Sequence, residues 1–299
     1  MLKNIFKKIK LNVKRNYHEY ISLNWKQHIN LILKILIILF IIIVILFPLY
    51  YLISFSFLTD SQSLERGSVF VTNNFNFSNY GRAFGEGFWI ALGYSLALTF
   101  IIVAFRMLIL IPAAYGISRM SKYWRLVWYS FFLIMASIPE ITLHLGYYRL
   151  AVNFGWSSGS NILNALIFPN MFSIFITMMF VQGFESIPEQ KIKMAKIDNL
   201  SLWKKIKIVY LPHLNAPIWI SIIFSTIYSW NSFIWPMIIL SNTEINLLSV
   251  WFKDIGKIST GGNLQNITSA GAVLSILPLL LTYIIFSKKI NKVTSNFIA

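Results

Sequence analysis

The fold class this 299-residue sequence predicts is all-α: a polytopic membrane protein with six transmembrane helices and both termini in the cytoplasm. Three observations predict it. Hydrophobic residues make up 57% of the chain and charged residues only 12%, about half the roughly 25% typical of soluble domains. Six apolar runs reach the length of about 20 residues that crosses a bilayer: 35–58, 88–117, 125–147, 162–183, 215–240 and 267–287. Lys and Arg then alternate in abundance between successive inter-span segments. Segments 1–34, 118–125, 184–213 and 287–299 hold 20 of them, whereas 59–87, 148–161 and 241–266 hold five. The basic side of such an asymmetry stays cytoplasmic.

Taken in order, residues 1–34 form a basic amphipathic segment. Leu2, Ile5, Phe6, Ile9 and Val13 share one helical face, with Lys3, Lys7, Lys8, Lys10 and Lys14 largely on the others, a pattern suited to lying on a membrane surface. The run 35–58 is too long for a signal-peptide core and has no small-residue cleavage site, so it reads as a retained span. An extracellular loop follows over 59–87. The remaining spans lie within 88–287, interrupted by the basic loop 184–213 and followed by a cytoplasmic tail over 288–299. Pro112 and Pro217 predict kinks or shifted boundaries in the second and fifth spans. The formal charge of +16 then reads as a topology signal and an attraction to anionic lipid. It is not a nucleic-acid footprint, because stacking aromatics do not accompany the basic residues.

The loop 186–212, SIPEQKIKMAKIDNLSLWKKIKIVYLP, is polar, basic and patterned for order. Ser186 with Glu189 has the spacing of a capping box, and Pro188 suits a first helical turn. Asn199 stands where a first helix should stop, as a residue able to enter the left-handed region. Ser201 can cap a second helix running to Pro212. These signals predict two short helices, 187–198 and 202–211, outside the bilayer. An ordered basic loop between apolar spans serves to dock a partner; the alternative is a basic amphipathic pair lying on anionic headgroups.

Catalytic patterns are missing. The sequence has no nucleotide-cradling G-x-x-x-x-G-K-[ST] loop, and its four histidines lack metal-ligand spacing. Cysteine is absent, which removes thiolate chemistry. No catalytic residue, metal or cofactor is assigned to this chain, and energy for uphill transport would come from another one.

Several stretches resemble the permease subunits of binding-protein-dependent ABC importers. Lys193-Met194-Ala195 stands at that family's EAA position, Asp198-Asn199 at its D-G, and Val209-Tyr210-Leu211-Pro212 at its apolar-x-L-P ending. Ser229-Trp230-Asn231-Ser232-Phe233-Ile234-Trp235-Pro236 is similar to a stretch of the carbohydrate-importing branch, in its maltose-transporter G-type subunits. Pro112-Ala113-Ala114-Tyr115 through Arg119, Asn79-Tyr80 with Phe84, and Ala270-Gly271-Ala272-Val273 with Leu277-Pro278 also resemble that branch. The likeness covers roughly residues 75–290. Departures are Lys193 for an acid, Met194 for Ala, Asn199 for Gly and Ser232 for Asp, together with a tail, Lys292 to Ala299, that lacks the family's glycines.

The resemblance implies a permease core over 88–287 whose coupling loop 184–213 meets a cytoplasmic ABC ATPase through Glu189, Lys193, Met194, Ala195, Asp198, Asn199, Leu211 and Pro212. It implies a second permease subunit, an extracellular solute-binding protein, and a sugar, polyol or glycerol phosphate as solute. The alternative is a secondary transporter or another polytopic protein whose basic loop binds lipid. Arg106, Glu140, Trp230, Asn231 and Trp235 are the candidate pathway or intramembrane polar residues; the tryptophans could equally be interfacial anchors. At about 1.5 Å per residue, Arg106 and Glu140 fall roughly 19 Å and 22 Å from the cytoplasmic ends of the second and third spans. Level charges on consecutive spans predict an ion pair or a shared polar cluster, because an isolated charge there costs on the order of 2.5–3.5 kcal/mol.

Overall fold

The computed structural model describes residues 25–64, 75–258 and 261–298, so residues 1–24 of the amino-terminal basic segment lie outside the described residues. Helix is the dominant element, and the bilayer explains why. Without water in the hydrocarbon core, each segment must satisfy its own backbone groups. Among the described residues, four helices are long and apolar enough to cross a membrane, and the number is up to six if each of two bent helix pairs is one span.

The chain divides near Ser54 into two compact units. The first is carried by α1 (Trp25–Ser56), an Ile- and Leu-rich helix whose most apolar window has a mean hydropathy of 3.3 and no buried residue.

In the second unit, α2 (Asp60–Leu64) and α3 (Ser78–Gly85) precede α4 (Phe88–Ser118), the second span. The third is broken. α5 (Lys122–Ala136) and α6 (Glu140–Asn153) meet at 92°. Pro139 supplies no N–H and disfavours helical geometry at Ile138, so the expected continuous span 125–147 stops at Ala136. The fourth is also bent. α7 (Ile162–Ile167) and a 3₁₀ turn over Phe168–Asn170 meet α8 (Ile174–Glu185) at 48°.

Beyond the basic loop, α9 (Glu189–Ile197) and α10 (Leu202–Lys205) lead through a π turn, Ile206–Tyr210, into α11 (Leu211–Asn231). The expected separate helix 202–211 is therefore the first part of the fifth span, not a free element. Leu211 N–H donates to the Ile206 carbonyl, and Pro212, which has no N–H, needs no acceptor where the helical register shifts. α4 and α11 run through Pro112 and Pro217 without interruption. α11 ends at Asn231, Ser232 is extended, and the chain resumes as α12 (Ile234–Ile239). After α13 (Leu248–Trp251), α14 (Gln265–Ile298) forms the last span.

α11 packs against α4, α8 and α14, and α4 against α8. Between lipid-solvated helices burial gives little drive, so close approach and interhelical hydrogen bonds take over. Gly183 of α8 allows such an approach: a Cβ there would stand 3.0 Å from Leu214 Cδ2 and 3.1 Å from Pro217 Cγ of α11. Thr99 and Ser229 join α4 to α11 through their hydroxyls at 3.1 Å, and Ser95 Oγ accepts the Leu248 N–H at 2.7 Å. Such bonds contribute roughly 0.6–2 kcal/mol each.

A buried polar knot ties α3 and α14 to residues 56–60. Asn79 Nδ2 donates to the Ser56 and Leu58 carbonyls at 2.9 and 2.8 Å. Asn266 Nδ2 donates to Leu58 O at 3.0 Å and Asp60 Oδ1 at 2.8 Å. Arg82 pairs with Asp60 at 2.9 Å. Hydrogen bonding from Asn266 holds the Asp60 carboxyl below its ordinary range, opposed by burial and helped by the hydrogen bond and positive charge of Arg82.

Candidate functional site

Two regions carry the residues singled out by sequence. The first is the basic loop. α9 stops at Asn199, whose φ of 46° makes it the one positive-φ non-glycine among the described residues. Asn199 N–H donates to Lys196 O at 3.1 Å and Leu200 N–H to Ala195 O at 3.2 Å, the paired bonds of a Schellman motif. Leu200 and Ala195 pack in one apolar cluster with Phe184, Val209 and Leu214. The stop is thus welded to the helical bundle.

The other end differs from expectation. Ser186 does not cap α9: its N–H donates to Gln182 O at 2.9 Å and its hydroxyl to Gly183 O at 2.8 Å. It finishes α8 instead, and Pro188 stands at the N-cap of α9. Ser201 occupies the next N-cap position in extended geometry, without a side-chain bond.

Glu189, freed from a capping role, pairs with Lys193 one turn on at 3.4 Å, both well exposed. The charge reversal at the EAA position is therefore partly offset within the helix. Met194, Asp198, Leu211 and Pro212 are exposed, whereas Ala195 is only 5% exposed and faces the bundle. Three large apolar side chains of the loop stand exposed among its charges: Ile197, Leu202 and Trp203 are 81%, 80% and 79% exposed. Sequence reading missed this surface, although the alternation of these residues with lysines was available to signal it.

The second region lies where α6, α11 and α12 meet. Arg106, on α4, is only 4% exposed. Its Nε donates to Asn170 O at 2.6 Å, Nη1 donates to Ser225 Oγ at 3.1 Å, and its guanidinium lies 4.9 Å from the centre of the Tyr228 ring. The Tyr228 hydroxyl in turn donates to Glu140 Oε1. Arg106 and Glu140 thus share one polar cluster without a direct ion pair, and Tyr228, which sequence reading missed, is the link. A depth count along one straight third span does not apply, because the chain turns just before Glu140.

Glu140, Tyr228, Asn231 and Trp235 line a single cavity of about 490 Å³ together with His144 and Phe233. Trp235 is mostly buried, donating Nε1–H to Ala165 O at 3.0 Å and stacking on His144 at 5.6 Å. Trp230 points the other way, to Ser275 O at 3.2 Å. Both indoles are packing groups with satisfied N–H donors. Among the described residues, no cluster of His, Cys, Asp and Glu could hold a metal ion.

With this geometry in hand, the relatives fall into one group. Over 279 residues the chain is 28% identical to a probable ABC transporter permease protein of Mycoplasma genitalium, covering 90% of this chain and 87% of that protein. It is 24% identical to the arabinooligosaccharides transport system permease protein AraQ of Halalkalibacterium halodurans, covering 81% of this chain and 86% of AraQ. It is likewise 24% identical to the sn-glycerol-3-phosphate transport system permease protein UgpE of Brucella abortus, covering 87% and 92%. Its fold matches a chain in the crystal structure of a bacterial ABC transporter involved in the import of the acidic polysaccharide alginate. That match has a TM-score of 0.70 at 20% identity, over 89% of this chain and 98% of that one. The family profile for the inner membrane component of binding-protein-dependent transport systems matches residues 109–292, the stretch that contains the basic loop and the Glu140 cavity; the chain belongs to that family and is a multi-pass membrane permease subunit of an ABC importer.

Proposed function

We propose that this permease works with a second permease subunit, two copies of a cytoplasmic ABC ATPase and an extracellular solute-binding protein. In this reading both termini and the 184–213 loop are cytoplasmic, as the Lys and Arg distribution requires. The single observation carrying the coupling role is the apolar tip Ile197, Leu202 and Trp203, exposed on an otherwise lysine-rich loop. Exposed apolar groups of this size on a polar element mark a protein interface.

Coupling follows from how the loop is built. The Schellman stop packs on the α8 and α11 cluster, and Leu202–Asn231 continues without a break into the bundle. A displacement of the tip therefore moves α11 as a lever. ATP binding in the partner biases one of two bundle arrangements, and this chain supplies the bistable element. ATP hydrolysis resides in the partner.

The relatives' names support a sugar, polyol or glycerol phosphate as solute. Co-purification with a candidate ATPase, followed by solute-stimulated ATP hydrolysis in liposomes, tests the assignment. A chain that assembles with no ATPase, or an assembly whose hydrolysis no solute or binding protein stimulates, contradicts it.

A further inference from the structure

The Glu140 cavity distinguishes among the solutes just named. Two helix breaks converge on it: Glu140 directly follows the 137–139 break, and Asn231 ends α11 just before the second break at Ser232 and Phe233. Non-helical backbone at membrane depth is tolerated only when buried in protein or facing a polar cavity. Two breaks at one cavity, with Glu140 58% exposed beside them, mark a polar route. Its volume of about 490 Å³ lies in the roughly 300–1,000 Å³ range of small-molecule sites.

Glu140 is the one carboxylate in the cavity lining and no Lys or Arg joins it, while Asn231 and Ser232 add neutral groups that both donate and accept. A carboxylate offers about four acceptor sites, and the Tyr228 hydroxyl takes one on Glu140 Oε1. α11 ends here, and the last four carbonyls of a helix have no partner within it. His144 lies beside that carboxylate, its Nε2 4.0 Å from Glu140 Oε1.

The cation that could hold a phosphate is sealed away. Arg106 directs its Nε and Nη1 to Asn170 and Ser225, turns its face to Tyr228, and does not line the cavity. The positive end of α6 could favour an anion, but Glu140 sits in that first turn and supplies the negative charge itself.

We infer that this cavity is a subsite for a neutral, polyhydroxylated solute, whose hydroxyls donate to Glu140, and that it rejects phosphate esters. The inference rests on the importer reading above and narrows its solute class. Phe233, 36% exposed on the cavity wall, offers an apolar face to the C–H surface of a sugar ring.

The test titrates the purified transporter, with its second permease and ATPase, in lipid nanodiscs. The probes are maltotriose, arabinotriose and sn-glycerol 3-phosphate, read by calorimetry. At least one trisaccharide should bind, and glycerol 3-phosphate at least tenfold more weakly. Glu140→Gln should weaken the trisaccharide at least about tenfold, and Glu140→Lys should reverse the ranking. Equal or tighter binding of glycerol 3-phosphate overturns the inference; so does trisaccharide affinity unchanged in Glu140→Gln, or no trisaccharide binding at all. ATP hydrolysis by the same preparation reads the importer assignment separately. A complex that hydrolyses ATP yet binds no trisaccharide rejects the subsite alone, whereas a chain that recruits no ATPase rejects both.

Discussion

The loop tip and the Glu140 cavity are built on opposite plans. On a segment rich in lysine, the chain exposes Ile197, Leu202 and Trp203; among apolar helices, it exposes a carboxyl group. Each places a group where its own solvation is poorest. The informative residues in a structure are those set against their surroundings, and the two exceptions here call for different partners. In the proposed assembly, the apolar tip is completed by a protein surface. In the same reading, the carboxyl group exposed among apolar helices is completed by water or by a hydroxylated solute.

The largest expected effect breaks the buried side of the cavity. Arg106→Leu leaves the Asn170 carbonyl and the Ser225 hydroxyl without their donor, at about 1–3 kcal/mol for each buried group left unpaired. Thermal unfolding in nanodiscs should show a clear loss of stability, with Glu140→Gln much milder. Equal losses in the two variants would mean that Arg106 is not a structural cation.

Next comes the tip. Trp203→Ala should lower affinity for the ATPase roughly 30-fold, the size of a 2 kcal/mol anchor, while melting stays unchanged because the indole is 79% exposed. Binding titration of the purified partner checks it. An unaltered affinity removes Trp203 from the interface.

A smaller effect sharpens the comparison with a third polar group, Asp60. Its carboxyl is held below 3.8 by Asn266, with Arg82 contributing. A lowered folded-state value means that stabilisation is full above the ordinary carboxylate range and fades as pH falls through the lowered value. Acid unfolding below pH 3.8 should therefore be shallower in Asp60→Asn than in the parent chain. Identical acid limbs would show that the knot makes no pH-dependent contribution.

The smallest concerns Lys193. Lys193→Glu replaces an exposed pair with two acids one turn apart, worth about 0.2–0.5 kcal/mol on the helix itself. Any larger change in ATPase affinity must come from the partner's charge: tighter for a basic groove, weaker for an acidic one. No change in either direction would place the residue outside the interface.

How much of this was legible in sequence depended on how local the cause was. The stop at Asn199 was readable, because a left-handed residue after a helix is a property of a few neighbours. The break at 137–139 was not anticipated, although Pro139 was in plain view. Hydropathy runs smoothly across 125–147 and does not register backbone direction. Ser186 misled because the capping-box spacing does not reveal that its hydroxyl is already committed to the preceding helix. The shared Arg106 and Glu140 cluster was expected from charge cost and a depth count along a straight third span that the chain does not form, and the bridge through Tyr228 depends on how α11 packs against α4 and α6, which spacing along the chain does not encode. Ala195, assigned by motif to the partner surface, faces inward for the same reason.

That inward turn supplies the most direct test of the central claim, that the loop couples to an ATPase through its apolar tip. Single cysteines at 195, 197 and 203 are introduced into a chain that has no native cysteine, and each is crosslinked to the purified cognate ATPase in the assembled complex. The account predicts crosslinks from 197 and 203 and little or none from 195. Efficient crosslinking at 195 with none at 197 or 203 would contradict it.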